Sequence, residues 1–222
     1  MLLAVSLAGC GGETAVQTST PAPESSPATQ PAPTPPISDT RPVIAAFGDS
    51  LSAGFGVEPG KSYPDDLQRL LDAAAYRYRV VNLGVSGDTT TDGVERLPAL
   101  MAAHPAVVIL EFGGNDGLRG LPVAAARQNM EVMIEAIRKS GAAILLAGMT
   151  LPRNYGPEYI RSFENMYSDL GNSYKLARIP FLLEGVGGHP DLTQPDGIHP
   201  TAEGAQIVAT HVLKYLEPLL KK

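Results

Sequence analysis

The chain has 222 residues, a formal net charge of -6 and one cysteine. An acidic balance with no dense Lys/Arg run argues against a nucleic-acid groove, and no nucleic-acid partner is expected. A single cysteine rules out an intramolecular disulfide, and the N-terminal apolar run falls far short of the ~20 residues a membrane-spanning helix needs.

From the N-terminus, Leu2 to Leu7 form a short apolar run that leads into Leu7-Ala8-Gly9-Cys10. This segment resembles a bacterial lipobox, in which the cysteine becomes the lipid-bearing N-terminus after cleavage. No Lys or Arg precedes the run, as an export signal requires. Either the true start lies upstream, or the apolar run and its cysteine are coincidental. Residues 11–41 are almost entirely Gly, Ser, Thr, Ala, Gln and Pro. They cannot bury enough apolar surface to offset backbone ordering, which predicts a disordered, semi-extended tether. The expectation is an exported lipoprotein anchored in a membrane through Cys10. Gly11 after the cysteine favours the outer membrane, on its periplasmic side, if the organism has one. Residues 42–222 remain, enough for one domain with one core, expected to be monomeric.

Five continuously apolar runs punctuate that domain: Val43–Phe47, Val80–Leu83, Ala106–Leu110, Ala142–Met149 and Ile179–Leu183. Runs without alternation read as parallel strands covered on both faces. Between them lie helical patterns. The clearest spans Val123 to Lys139, with Ala126, Met130, Met133, Ile134 and Ile137 on one stripe, Pro122 at its start and Gly141 after its end. A last helix begins near Thr201, a fitting N-cap. The alternation predicts an α/β fold, a three-layer α/β/α sandwich on a flavodoxin-like parallel five-stranded sheet of order 2-1-3-4-5.

The unusual residues all follow strands. Ser50 comes after the first, Gly84 after the second, Gly113-Gly114-Asn115-Asp116 after the third, and Asp196 and His199 after the fifth. Open α/β sheets bind ligands at the carboxyl ends of their strands, so the order 2-1-3-4-5 would bring Gly84, Ser50 and Asn115 together. Acyl transfer needs a nucleophile, a base in reach of it, and donors aimed at the oxyanion. Ser50 can be the nucleophile, His199 the base, and Asp196 the carboxylate that orients the base. Glycine at 84 permits close backbone approach, and Asn115 brings a neutral donor. Removing one such donor typically costs ~2.7–4 kcal/mol in the transition state. Asp49, Asp88 and Asp116 sit in the same loops and are expected to brace them through backbone hydrogen bonds.

Gly48-Asp49-Ser50-Leu51, Asn82-Leu83-Gly84-Val85-Ser86-Gly87-Asp88, Gly113-Gly114-Asn115-Asp116 and Asp196-Gly197-Ile198-His199-Pro200 resemble the four blocks of the SGNH (GDSL) hydrolases. The likeness is nearest to the bacterial thioesterase I/lysophospholipase L1/arylesterase branch and runs from about Val43 to Leu220. It implies a triad of Ser50, Asp196 and His199, with an oxyanion hole made by Ser50, Gly84 and Asn115. Leu151-Pro152-Arg153-Asn154-Tyr155-Gly156 and Phe181 to Gly188 resemble the segments flanking that branch's cleft, which puts Leu151, Asn154, Tyr155 and Val186 against substrate. The implied activity is serine-dependent hydrolysis of aryl, acyl or lysophospholipid-like esters, or of thioesters, with no cofactor. A carbohydrate O-deacetylase of the same superfamily and a non-catalytic surface-binding lipoprotein are the alternatives. The absence of Trp speaks against the first, and the intact Ser50, Asn115, Asp196 and His199 against the second.

Three other patterns carry no chemistry. Gly54 to Ser62 ends in Gly-Lys-Ser after a strand, but a phosphate loop needs glycine where Phe55 stands, and Glu58 and Pro59 disfavour phosphate. The Gly84-Val85-Ser86-Gly87-Asp88 segment fails the Gly-x-Ser-x-Gly elbow at its last position. His104, His189 and His211 lack ligand spacing, so no metal is expected; His211 lies on the apolar side of the last helix and is expected to pack there.

Overall fold

The computed structural model describes residues 39–222. Cys10, the lipobox-like segment and the tether up to residue 38 lie outside the described residues. Folded contacts begin slightly before the expected boundary at 42. Arg41 pairs with Asp39 (2.7 Å) and with Asp72 (3.3 Å), and the carbonyl of Pro42 accepts the N–H of Arg79 at 2.9 Å.

Five strands, β1 (Val43–Gly48), β2 (Arg79–Gly84), β3 (Pro105–Glu111), β4 (Ala143–Ala147) and β5 (Ala177–Ile179), form one parallel sheet of order β2-β1-β3-β4-β5. The expected order is the one found. β1 is buried along its whole length because strands flank both its edges and helices cover both faces. β2, at the edge, is only partly buried.

The helices are α1 (Ser50–Ala53), α2 (Tyr63–Ala73), α3 (Thr90–Glu95), α4 (Leu97–Ala102), α5 (Gly114–Leu118), α6 (Val123–Ser140), α7 (Pro157–Tyr174) and α8 (Ala202–Leu216). α2 packs against α8, and α6 against α3, α4 and α7. α6 buries the five residues of the expected stripe and stops at Gly141, whose φ of 85° is left-handed, a conformation glycine adopts without the Cβ penalty. Thr201 caps α8, its hydroxyl accepting from the N–H of Gly204 at 3.2 Å. The side chains of Ser62 and Asp65 form a capping box on α2, which accounts for the serine of the Gly-Lys-Ser segment.

The fifth strand departs from expectation. It ends at Ile179, before most of the apolar run assigned to it. Pro180 has no N–H to offer a ladder, and the chain turns there, with the N–H of Leu182 donating to Gly148 at 2.9 Å. Phe181 and Leu183 are thereby turned out of the sheet and toward the site.

Candidate active site

Ser50 stands at the turn from β1 into α1. Asp49 is the N-cap, its Oδ1 accepting from the N–H of Leu51 at 3.1 Å. The turn is clamped from below by Glu111, the last residue of β3. Glu111 Oε2 accepts the N–H of Asp49 (3.1 Å), the N–H of Ser52 (3.3 Å) and the hydroxyl of Ser52 (2.8 Å). This clamp dictates Gly48, since a Cβ there would lie 2.2 Å from Glu111 Oε2. Burial, with the charge of Asp49 next in effect, pushes the Glu111 carboxyl well above its usual range. Burial likewise raises Asp49 to about 6, against hydrogen bonds to Leu51 and Glu111 that lower it.

Asp196 and His199 arrive on the loop ahead of α8. Gly197, with φ 70°, lets the loop fold back so that Asp196 Oδ1 accepts the N–H groups of Ile198 (2.9 Å) and His199 (3.0 Å). Asp196 Oδ2 lies 2.6 Å from His199 Nδ1, and His199 Nε2 lies 2.9 Å from Ser50 Oγ. The structure therefore brings the three together as one hydrogen-bonded chain, across 149 positions between Ser50 and His199. For Asp196, partial burial works against ionisation, but the bonds from the His199 ring and from the two N–H groups outweigh it and hold the carboxyl below its ordinary value.

The donor side is less open. Ser50 is the first residue of α1, so its N–H has no intrahelical partner. The Asn115 amide donates to Asp88 O (2.8 Å) and Asp49 Oδ2 (3.2 Å). Gly84 sits hard against α1, where a Cβ would lie 2.2 Å from the backbone nitrogen of Ala53. Its N–H donates to Asn82 Oδ1 at 2.9 Å. Any acceptor arriving at Asn115 or Gly84 would have to share or replace these bonds. Asp116 ties the Asn115 loop to α3 by accepting from the N–H (2.8 Å) and hydroxyl (2.6 Å) of Thr90.

Two cavities open beside Leu51, the residue after Ser50. One, about 720 Å³, is a groove running past Leu51, Leu118, Met149, Leu151, Phe181 and Ile198. The other, about 190 Å³, lies between Ser50, Asn115, His199 and the ring of Phe55. Of the residues expected against substrate, Leu151 lines the groove. Tyr155 ties loops together, its hydroxyl donating to Leu118 O at 2.7 Å. Asn154 is exposed on a short turn outside the lining. Val186 is wholly buried, with its Cγ1 against Gly204 of α8, and lines neither cavity. His211 packs as expected, with Nε2 3.2 Å from Phe181 O and its ring on Tyr215. Among the described residues no group of His, Cys, Asp and Glu is placed to hold a metal.

Sequence reasoning missed Glu111 and Arg96. Arg96 donates to Gly48 O (2.9 Å) and Leu83 O (2.8 Å), joining the ends of β1 and β2, and forms an ion pair with Asp88. Nothing local marks Arg96. Glu111 did carry a signal, as an acidic residue closing an otherwise apolar buried run.

A parallel sheet of this order, with Ser50, Gly84, Asn115 and His199 gathered at its carboxyl edge, defines the SGNH hydrolase fold. The profile of the GDSL-like Lipase/Acylhydrolase family matches residues 46–207. Esterase TesA of Pseudomonas aeruginosa is 45% identical over 178 residues, covering 80% of this chain and 89% of its own. The "Thioesterase 1/protease 1/lysophospholipase L1" of Escherichia coli is 37% identical over 178 residues, covering 80% and 84%. A crystal structure of TesA superposes with a TM-score of 0.77 at 44% identity, over 80% of this chain and 99% of that one. The chain belongs to the GDSL-like Lipase/Acylhydrolase family, and it is an ester-hydrolysing enzyme.

Proposed function

We propose that this enzyme hydrolyses carboxylic esters of apolar acids through an acyl-enzyme on Ser50. The observation that carries the reading is the unbroken chain from Asp196 through His199 to Ser50, at 2.6 and 2.9 Å. His199 Nε2 takes the Ser50 proton as Oγ attacks the carbonyl carbon, and Asp196 steadies the resulting imidazolium. The oxyanion is met by the Ser50 N–H, the Asn115 amide and the Gly84 N–H, the last two leaving their resting partners. The bond to the alcohol oxygen then breaks, and that oxygen takes the proton from His199. Water, deprotonated by the same imidazole, attacks the acyl-enzyme, releases the acid and restores Ser50.

The groove beside Leu151 supports an acyl chain as the part recognised, since its wall is made chiefly of Leu, Met, Phe and Ile side chains. The names of the relatives, an esterase, an arylesterase and a thioesterase/lysophospholipase, support the same chemistry. The test is release of p-nitrophenol from esters graded from acetyl to palmitoyl. Turnover should be greatest at medium or long chains. Activity confined to the acetate would point to a deacetylase, and a folded but inert protein would overturn the proposal.

We also propose that Cys10 carries a lipid anchor, a reading supported by Leu7-Ala8-Gly9-Cys10 and the residues that follow. Cys10→Ser should move the esterase activity of a fractionated expression host from the membrane to the soluble fraction. Activity that stays in one fraction for both forms would remove the anchor.

A further inference from the structure

Phe55 is the most exposed large hydrophobic side chain among the described residues, with 50% of its surface open. It is nevertheless held at both ends. Its N–H donates to Ser50 O at 3.0 Å. Its carbonyl accepts the Gln194 amide at 2.7 Å, and that same nitrogen donates to Pro200 O at 2.9 Å. The backbone N–H of Gln194 donates to His199 O at 2.7 Å. Gln194 thus straps the loop after α1 to the loop that carries Asp196 and His199. Gly56 is needed for the strap to close, because a Cβ there would lie 2.1 Å from Gln194 Oε1.

So fixed, the Phe55 ring lies 4.6 Å from the His199 ring, centroid to centroid, with the planes tilted by 44°. One side of it forms a wall of the 190 Å³ recess. A large apolar ring exposed beside the base, and strapped there, is what a contact surface for ligand requires.

The chemistry decides which part of the ligand meets it. His199 Nε2 must deliver its proton to the leaving oxygen, so the leaving group has to sit within hydrogen-bond reach of the imidazole. The acyl chain occupies the larger groove on the Leu151 side, and the alcohol is left with the recess flanked by Phe55. We propose that Phe55 is the residue that selects the alcohol half of the ester, favouring a compact apolar leaving group about one ring in size. This rests on the roles given to Ser50 and His199 under Proposed function. The volume fits, since an apolar cavity of ~150 Å³ takes one benzene. A long leaving group would overrun the recess, and a charged one would meet the apolar face of Phe55 with no partner of opposite charge on that ring.

The test compares benzyl and ethyl butyrate, whose alcohols have similar acidity and which share one acyl-enzyme. Wild-type kcat/KM should favour the benzyl ester. Phe55→Ala should lower kcat/KM for the benzyl ester about tenfold, and for the ethyl ester by less than about twofold. Phe55→Leu should fall between, because it keeps apolar bulk and loses the ring. Deacylation, read after the burst with p-nitrophenyl butyrate, should not change, because the alcohol has already left. Equal losses on both esters with slowed deacylation would make Phe55 a support for His199 and overturn the selectivity. A benzyl-to-ethyl ratio unchanged by the substitution, with Ser50-dependent turnover intact, would overturn it alone. Absence of any Ser50-dependent turnover would overturn the underlying reading, and the subsite with it.

Discussion

Replacing Ser50 by alanine is expected to lower kcat for ester hydrolysis by roughly 10⁴-fold or more, with the fold unchanged. The hydroxyl touches little else: its contacts are His199 Nε2 at 2.9 Å and a long one to Asp49 Oδ1 at 3.4 Å. His199→Ala should cost a similar factor, and the double variant should be no slower than either single one, because the two groups act in one proton transfer. Asn115→Ala should cost less, on the order of 10²–10³ in kcat, as one donor among several is lost. That substitution also frees Asp49 Oδ2 and Asp88 O, so its unfolding temperature needs checking alongside. The bonds that hold Asp196 below the ordinary carboxylate range keep it ionised through mildly acidic pH, so it continues to orient His199 there. Burst-phase p-nitrophenol release, with circular dichroism as the folding control, checks all four variants. A Ser50→Ala protein that kept more than a few per cent of wild-type turnover would contradict the role given to that hydroxyl.

The parts of this molecule legible in its sequence are those written as local patterns. Continuous apolar runs announced the strands, and their parallel pairing fixed which loops share an edge. Four segments after those runs then marked Ser50, Gly84, Asn115, Asp196 and His199 as neighbours. What escaped depends on contacts between distant segments. Ile179–Leu183 is apolar throughout, yet Pro180 ends the ladder, and the residues after it line the groove instead of the sheet. Val186 lies in a segment next to the groove, but its side chain packs onto α8. Phe55 and Gln194 are 139 positions apart, and neither has a local signature. Even the donors proposed for the oxyanion carry something unwritten, since the bond from Gly84 to Asn82 is visible only in three dimensions.

Glu111→Ala is expected to destabilise the domain by about 2–6 kcal/mol and to abolish most of the activity, because two buried N–H groups lose their acceptor at a typical ~1–3 kcal/mol each. Those donors are the N–H groups of Asp49 and Ser52, while the Ser52 hydroxyl, which also bonds Glu111, keeps Tyr63 Oη at 3.0 Å, so the part of the chain released is the turn that carries Ser50. A loss of that size is a large fraction of the ~5–15 kcal/mol that holds a domain folded. Glu111→Gln should behave differently, because its amide oxygen can keep the same three bonds while the titrating proton is removed. The direction of the pH effect follows from burial. Glu111 has a folded pKa raised above its unfolded value, so the native state binds more protons and wild-type stability falls as pH rises from the ordinary carboxylate range toward the folded value. Asp49, raised to about 6, acts in the same sense and is retained in the variant. Denaturant unfolding from pH 5 to 9 should therefore show a shallower decline for Glu111→Gln than for wild type, with near-wild-type esterase activity at neutral pH. If Gln and Ala were equally damaging, the clamp would depend on the charge or shape of the carboxyl and not on its acceptor oxygen. If both were harmless, the turn bearing Ser50 would be held by α1 and Asp49 alone.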